Sequence, residues 1–182
     1  MSKLLAAALL IASTSVASAG IYGGLSVGPD GAVQDDQFDL TSGGRAIRLL
    51  GGYRLGRLSA EASVTGNTFT DREGGSVDHR QIALVGKYNF PLGSNFELFG
   101  RAGIQRTWIT LGDRVPESYD VSGNGVIFGP GVEYVLKFVA ASATIRLDYT
   151  IGYAKPSGPI FEDQGGVSFT TGQWMLGFTV GM

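Results

Sequence analysis

The stretch ASATIRLDYTI, Ala141 to Ile151, places Ala143, Ile145, Leu147 and Tyr149 on one side of an extended chain. Ser142, Thr144, Arg146 and Asp148 fall on the other side. That is the period of a strand with one greasy face and one face carrying opposite charges. The same writing recurs seven more times, over Gly20–Val27, Arg45–Leu55, Leu58–Thr65, Ile82–Phe90, Phe96–Ile109, Val126–Val135 and Phe169–Met182. In the second of these, Ile47, Leu49, Gly51, Tyr53 and Leu55 oppose Arg48, Leu50, Gly52 and Arg54. In the last, Trp174, Leu176, Phe178, Val180 and Met182 oppose Gln173, Gly177, Thr179 and Gly181.

The connections alternate in length. Pro29–Gly44, Thr70–His79, Thr110–Gly125 and Ala154–Ser168 are long, whereas Gly56–Arg57, Pro91–Asn95 and the step around Lys137 are short. An even number of strands of about 10 residues, with tight turns at one end and long loops at the other, describes an outer-membrane barrel. The expected fold is all-β: an eight-stranded antiparallel up-and-down transmembrane β-barrel with both ends in the periplasm. Closure is required because lipid cannot satisfy the backbone groups of an open sheet edge.

Residues 1–19 carry Lys3, an apolar run from Leu4 to Ala12 and the ending Ala17-Ser18-Ala19, the pattern of a secretory signal peptide. The expected division is a leader over 1–19 and a barrel domain over 20–182, with no periplasmic domain after Met182. Loss of Lys3 takes the formal charge from −2 to −3. Only 16% of residues are charged, against about 25% in an ordinary soluble domain. There is no basic excess for a nucleic-acid partner. The absence of cysteine excludes disulfides, thiolate metal sites and a cysteine nucleophile.

A soluble sandwich or a periplasmic lipocalin-like barrel also alternates, but the leader and the loop lengths favour the membrane. So do the aromatics. Tyr53, Tyr88, Phe90, Phe96, Tyr134 and Phe138 lie near the short turns, and Phe69, Trp108, Tyr149, Tyr153 and Trp174 near the long loops. Two such belts suit rings that prefer the water–lipid boundary.

Three stretches resemble the eight-stranded outer-membrane barrels of the OmpA-like transmembrane and Ail/OmpX type, including opacity-like surface antigens. Gly129-Pro130-Gly131-Val132-Glu133-Tyr134 is similar to their Gly-Val-Glu-Tyr strand, and Arg146-Leu147-Asp148-Tyr149 to their Arg-x-Glu-Tyr strand. Gly172-Gln173-Trp174-Met175-Leu176-Gly177 is similar to the last strand of the OmpX branch. The resemblance implies the outer membrane of a Gram-negative bacterium and a monomeric barrel. It also implies assembly by the barrel insertion machinery, which reads an aromatic last residue. Met182 stands there instead, with Gly177 and Val180 keeping the spacing.

On these phases eight charges point inward: Arg48, Glu61, Lys87, Glu97, Arg101, Glu133, Arg146 and Asp148. Eight strands leave room only for side chains. Unpaired charge away from water is costly, so the expectation is a plug of interlocked salt bridges. The resemblance implies a gate, in which Glu61 with Arg146 and Lys87 with Glu133 are the counterparts of the family's acid–base cluster. The plainer reading, that these pairs only hold strands in register, carries more weight.

Arg45, Arg80 and Arg106 fall at outward phases near the long-loop ends, where a guanidinium can meet outer-leaflet phosphates. They are candidate lipopolysaccharide contacts, with solvated strand ends as the equal alternative. The loops hold the remaining acids, among them Asp30, Asp35, Asp36, Asp39, Asp113, Glu117, Glu162 and Asp163, with Arg72, Arg114 and Lys155 as their bases. Such a rim disfavours heparin and nucleic acid, and no spacing there matches a calcium loop, so solvated charge is expected.

No catalytic residue, cofactor or metal is expected. The single histidine, His79, lies in Val77-Asp78-His79-Arg80-Gln81 and lacks the His-x-Ser arrangement of lipid A deacylases. It reads as an exposed loop residue. Gly123-Asn124-Gly125 is not a phosphate cradle, since no helix follows. The expected role is a non-catalytic integral barrel that supports the envelope and displays surface loops. An adhesin or immune-evasion surface protein, or a small gated pore, is the alternative.

Overall fold

The computed structural model describes residues 20–29, 32–34, 40–71, 76–93, 95–111, 119–157 and 169–182. The leader, Arg72, Arg114 and the acidic loop residues named above lie outside these, as does the Phe69 side chain. Nine strands form one sheet: β1 (Gly20–Pro29), β2 (Ala32–Gln34), β3 (Leu40–Leu55), β4 (Leu58–Asp71) and β5 (Ser76–Pro91). After these come β6 (Phe96–Leu111), β7 (Tyr119–Lys137), β8 (Ser142–Ser157) and β9 (Phe169–Gly181). Each strand from β3 onward pairs antiparallel with its sequence neighbour, and β1 pairs with both β3 and β9. The result is a closed eight-stranded barrel, with β2 as a short addition.

That addition was not expected within the Pro29–Gly44 connection. β1 pairs Val27 with Leu176, and β2 pairs Ala32 with Gly172, so one extra residue separates the two registers. β2 therefore carries β1 onward along β9 past a bulge, covering the β9 edge beyond Leu176.

The register fixes the tilt. Gly24 leads through Leu50, Ser63, Ala83, Gln105, Gly125 and Ala154 to Phe169. Gly24 itself pairs with Thr179, ten residues further along the same strand. A perpendicular row of partners thus climbs toward the long-loop end by a little more than one residue per strand, the stagger a tilted barrel needs to close. A Met182 N–H to Ile21 carbonyl bond of 3.0 Å completes the seam.

At the other end the turns are tight. Leu55 and Leu58 pair directly across Gly56–Arg57, and Gly56 takes φ 62°, a left-handed conformation that glycine adopts without steric cost. The Arg54 Nε donates to the Gly56 carbonyl at 2.8 Å and holds that turn. Further bonds from Leu92 N–H to the Phe96 carbonyl and from Phe138 N–H to the Ala141 carbonyl close the other two turns.

The pleat sorts the side chains as the alternation predicts. Ile21, Leu25, Leu49, Val64, Leu84, Ile104, Leu147 and Leu176 face outward and are exposed, while Arg48, Glu61, Lys87, Arg146 and Asp148 are buried inside. Leu50, Phe99 and Ile127, apolar residues flanked by apolar neighbours, take the inner face. Near the turns Tyr88 meets Phe90 and Phe96 meets Tyr134, with centroids 4.6 and 4.8 Å apart, and Tyr149 meets Trp174 at 4.9 Å.

The strands run longer than the apolar writing suggests. β4 continues to Asp71, β5 begins at Ser76, β7 begins at Tyr119 and β8 continues to Ser157. Asp78, His79 and Lys155, expected in loops, are therefore strand residues. Backbone pairing persists beyond the lipid boundary because each ladder neighbour persists. The apolar face stops at that boundary, so the pattern falls silent there.

If the outer face meets lipid, cost follows depth. Leu49→Arg, at mid-height, should destabilise the barrel by about 2–4 kcal/mol, and Ile21→Arg, at the turn end, by about 0–1 kcal/mol. Reversible urea unfolding in liposomes measures both, and equal costs would contradict the assignment.

Candidate functional site

The inner faces of the strands converge on a band of ionised groups toward the turn end. Glu61, from β4, is its hub. Its carboxylate accepts from the Tyr22 hydroxyl at 2.7 Å and from Arg146 Nη1 at 2.9 Å, and Lys87 Nζ lies 3.2 Å away. Lys87 also donates to Glu133 at 2.8 Å. Arg146 reaches three acids: Glu61, Asp148 at 3.4 Å and Glu133 at 3.8 Å.

Asp148 is the second hub. Arg48 and Arg101 approach it at 2.9 and 3.0 Å. Thr150 donates to Asp148 at 3.0 Å and accepts from both arginines. Below, Asn89 donates to Glu97 at 2.8 Å and to Glu133 at 2.9 Å, and Arg54 pairs with Glu97 at 2.9 Å. The network therefore runs without a break from Arg54 near the turns to Arg48 at mid-barrel.

All eight expected charges lie inside, seven of them buried and Glu97 partly so. Glu61 meets Arg146, and Lys87 meets Glu133. Arg54 belongs with them although the sequence reading left it out of the cluster. It shares the parity of Arg48 on β3, which was the signal that could have found it. Its inclusion makes five cations against four carboxylates. Tyr22, Asn89 and Thr150 were missed as well, because a neutral side chain on the inner face carries no mark of its partner until the strands close.

Two rings support the cations. Lys87 Nζ sits 5.3 Å from the Tyr22 ring and 5.1 Å from the Phe99 ring, and the Arg146 guanidinium sits 4.9 Å from Phe99. An aromatic face attracts a cation that has been withdrawn from water. Glycines make room for these rings. A Cβ at Gly131 would stand 2.2 Å from Phe99 Cζ, and one at Gly52 would stand 2.6 Å from Tyr22 Cζ.

Toward the long loops the described polar side chains of the inner face are amides, hydroxyls and one histidine. Gln173 donates to Asn67 at 3.2 Å, the Asn67 amide lies 3.1 Å from His79 Nδ1, and Gln81 donates to Gln105. His79 is 4% exposed and belongs to this layer, which corrects the expectation of an exposed loop histidine. Its parity on β5 matches Gln81 and Lys87, and that alternation, continued two residues past Gln81, would have placed it inside.

Arg45, Arg80 and Arg106 stand on the outer face, exposed, and Arg106 lies 5.5 Å from the Trp108 ring.

The lumen network predicts unequal costs. Glu61→Gln leaves Arg146 and Lys87 short of charge in a buried site and should cost about 3–5 kcal/mol. Glu97→Gln, nearer the rim, where the Arg54 and Glu97 side chains are 21% and 13% exposed, should cost less, about 1–2 kcal/mol. Chemical unfolding of the folded barrel in detergent measures the difference, and similar values would mean that water screens both sites.

No curated protein matches the sequence. Among solved structures, the barrel is similar to Neisserial surface protein A (NspA), with a TM-score of 0.68 and 14% identity over 88% of this chain and 96% of that one. It is also similar to Ail, the attachment invasion locus protein of Yersinia pestis, with a TM-score of 0.57 and 16% identity over 90% and 99%. OprG from Pseudomonas aeruginosa gives 0.51 and 16% over 90% and 95%. At such identities the likeness concerns the fold. The family described as Outer membrane protein beta-barrel domain matches residues 3–181, and the chain belongs to that family, a barrel of the Gram-negative outer membrane.

Proposed function

We propose that the protein is a non-catalytic integral barrel of the outer membrane. It supports the envelope, holds its loops above the surface and keeps its lumen shut with the salt-bridge plug. The observation that carries this reading is the unbroken network from Arg54 to Arg48, in which every acid meets at least one cation within 3 Å. A path for water or solute would have to part several of these pairs at once. Separating one buried pair already leaves uncompensated charge in a medium that solvates it poorly.

The long strands supply a rigid stem for surface loops. An attachment role, suggested by the name of Ail, would need a contact surface that the acid-rich loops do not resemble. The heparin analogue sucrose octasulfate, with which Ail has been crystallised, is polyanionic and suits an acidic rim poorly.

A gated low-conductance pore is the second reading, and one feature favours it. Lys87 lies between two carboxylates, Glu133 at 2.8 Å and Glu61 at 3.2 Å, so it can transfer its main pairing without leaving the site. Planar-bilayer recording tests both readings. The plugged barrel should give no steady current, and Glu61→Gln should raise open events several-fold, about what loss of ~1 kcal/mol of closure gives. A large, steady wild-type conductance would overturn the plug. A deletion strain with unchanged detergent sensitivity would overturn the envelope role.

A further inference from the structure

Every buried lumen cation has a carboxylate within 4 Å, but three arginines on the outer wall have none. Among the described residues, the side chains of Arg45, Arg80 and Arg106 make no ion pair or hydrogen bond, and the Arg106 guanidinium lies 5.5 Å from the Trp108 ring. All three are exposed and point away from the lumen.

Their heights agree. The row of Arg45 passes through Thr68 and Asp78 to Thr110 on β6, climbing toward the long-loop end by a little more than one residue per strand. Arg80 stands two residues below Asp78 on β5, and Arg106 stands four residues below Thr110 on β6. These offsets cancel the climb, so the three guanidiniums share one level on one side of the barrel.

That level is the upper edge of the greasy wall. Directly beneath the arginines, toward the turns, come Ile47, Ile82 and Ile104, each at least half exposed. Between Arg45 and Arg80 the intervening strand presents Gly66, where a Cβ would meet nothing within 4 Å, so the wall there is open down to the backbone. The row of Arg106 continues onto β7 and β8 through Asn124 and Lys155, both exposed. On β8 and β9 the described outward residues near this height, Tyr153 and Gly172, carry no charge.

We propose that Arg45, Arg80 and Arg106 form a docking arc for the phosphates of a lipid A-type glycolipid of the outer leaflet, whose acyl chains lie along the wall below. A guanidinium at a lipid boundary is strongly favoured when a phosphate accepts its paired N–H groups. Three at one level, set across four neighbouring strands around the open Gly66, match a headgroup bearing more than one phosphate. One phospholipid phosphate would engage only one of them. The Trp108 ring steadies Arg106 at the same boundary. The arc rests on the outer-membrane placement of the barrel and not on the plug, so failure of either reading leaves the other standing.

The test uses the folded barrel in detergent, with its thermal unfolding followed against added bisphosphorylated lipid A, dephosphorylated lipid A, phosphatidylglycerol or inorganic phosphate. Bisphosphorylated lipid A should raise the midpoint of the wild type. In the triple variant Arg45→Gln, Arg80→Gln and Arg106→Gln its half-saturating concentration should rise at least about tenfold. Lys137→Gln, on the opposite rim, should bind as the wild type does. Should the triple variant not fold, the three single variants carry the test, each weakening lipid A about two- to threefold. An equal response to dephosphorylated lipid A or phosphatidylglycerol would overturn the proposal. So would an equal shift with inorganic phosphate alone, or unchanged lipid A binding in the variants.

Discussion

Closure is the constraint from which the rest of this molecule follows. A strand in hydrocarbon must pair both of its backbone edges, and only a ring of strands does so. These eight strands close with a ten-residue stagger between β1 and β9, and that stagger sets the tilt. Once tilt and number are fixed, so is the bore, which admits side chains and little else. The interior chemistry is then the problem of filling a narrow tube with the residues that alternation sends inward.

This chain fills the tube with charge. An apolar filling would also have packed, so the ionised one asks for a reason. Each acid is shared: Glu61 among Tyr22, Arg146 and Lys87, and Asp148 among Arg48, Arg101 and Arg146. Sharing ties strands that are not ladder neighbours, since β4 reaches β8 and β3 reaches β8 across the bore. Backbone pairing alone cannot do that, because each ladder binds only adjacent strands. Cross-bore ties penalise a slipped register, since a slip by one residue would send the charges to the lipid side. The same shared geometry makes partner exchange feasible, so a register lock and a gate are two uses of one arrangement.

The outer wall answers to a different solvent. Its apolar band ends in aromatic pairs toward the turns and in arginines, Trp108 and Tyr153 toward the loops, so the two rims differ in chemistry as the two leaflets they meet differ. Beyond that boundary the strands continue, with polar residues such as Asp78 at the outward positions.

The fold class and strand count were legible because lipid outside and a narrow lumen inside force a period of two on every strand, and the order of residues records that period directly. Arg146 and Asp148 could be placed inside from their neighbours alone, and the facing of Arg45, Arg80 and Arg106 from theirs. His79 was misread because the apolar face that marks a strand had already ended, while hydrogen bonding between backbones, which carries no side-chain signature, went on. Which partners meet across the bore, that Tyr22 and Phe99 cradle Lys87 in space left by Gly52 and Gly131, and that three outward arginines share one height were decided only in three dimensions. Each depends on the stagger accumulated around the whole ring, a property of all the strands together that no single stretch of sequence contains.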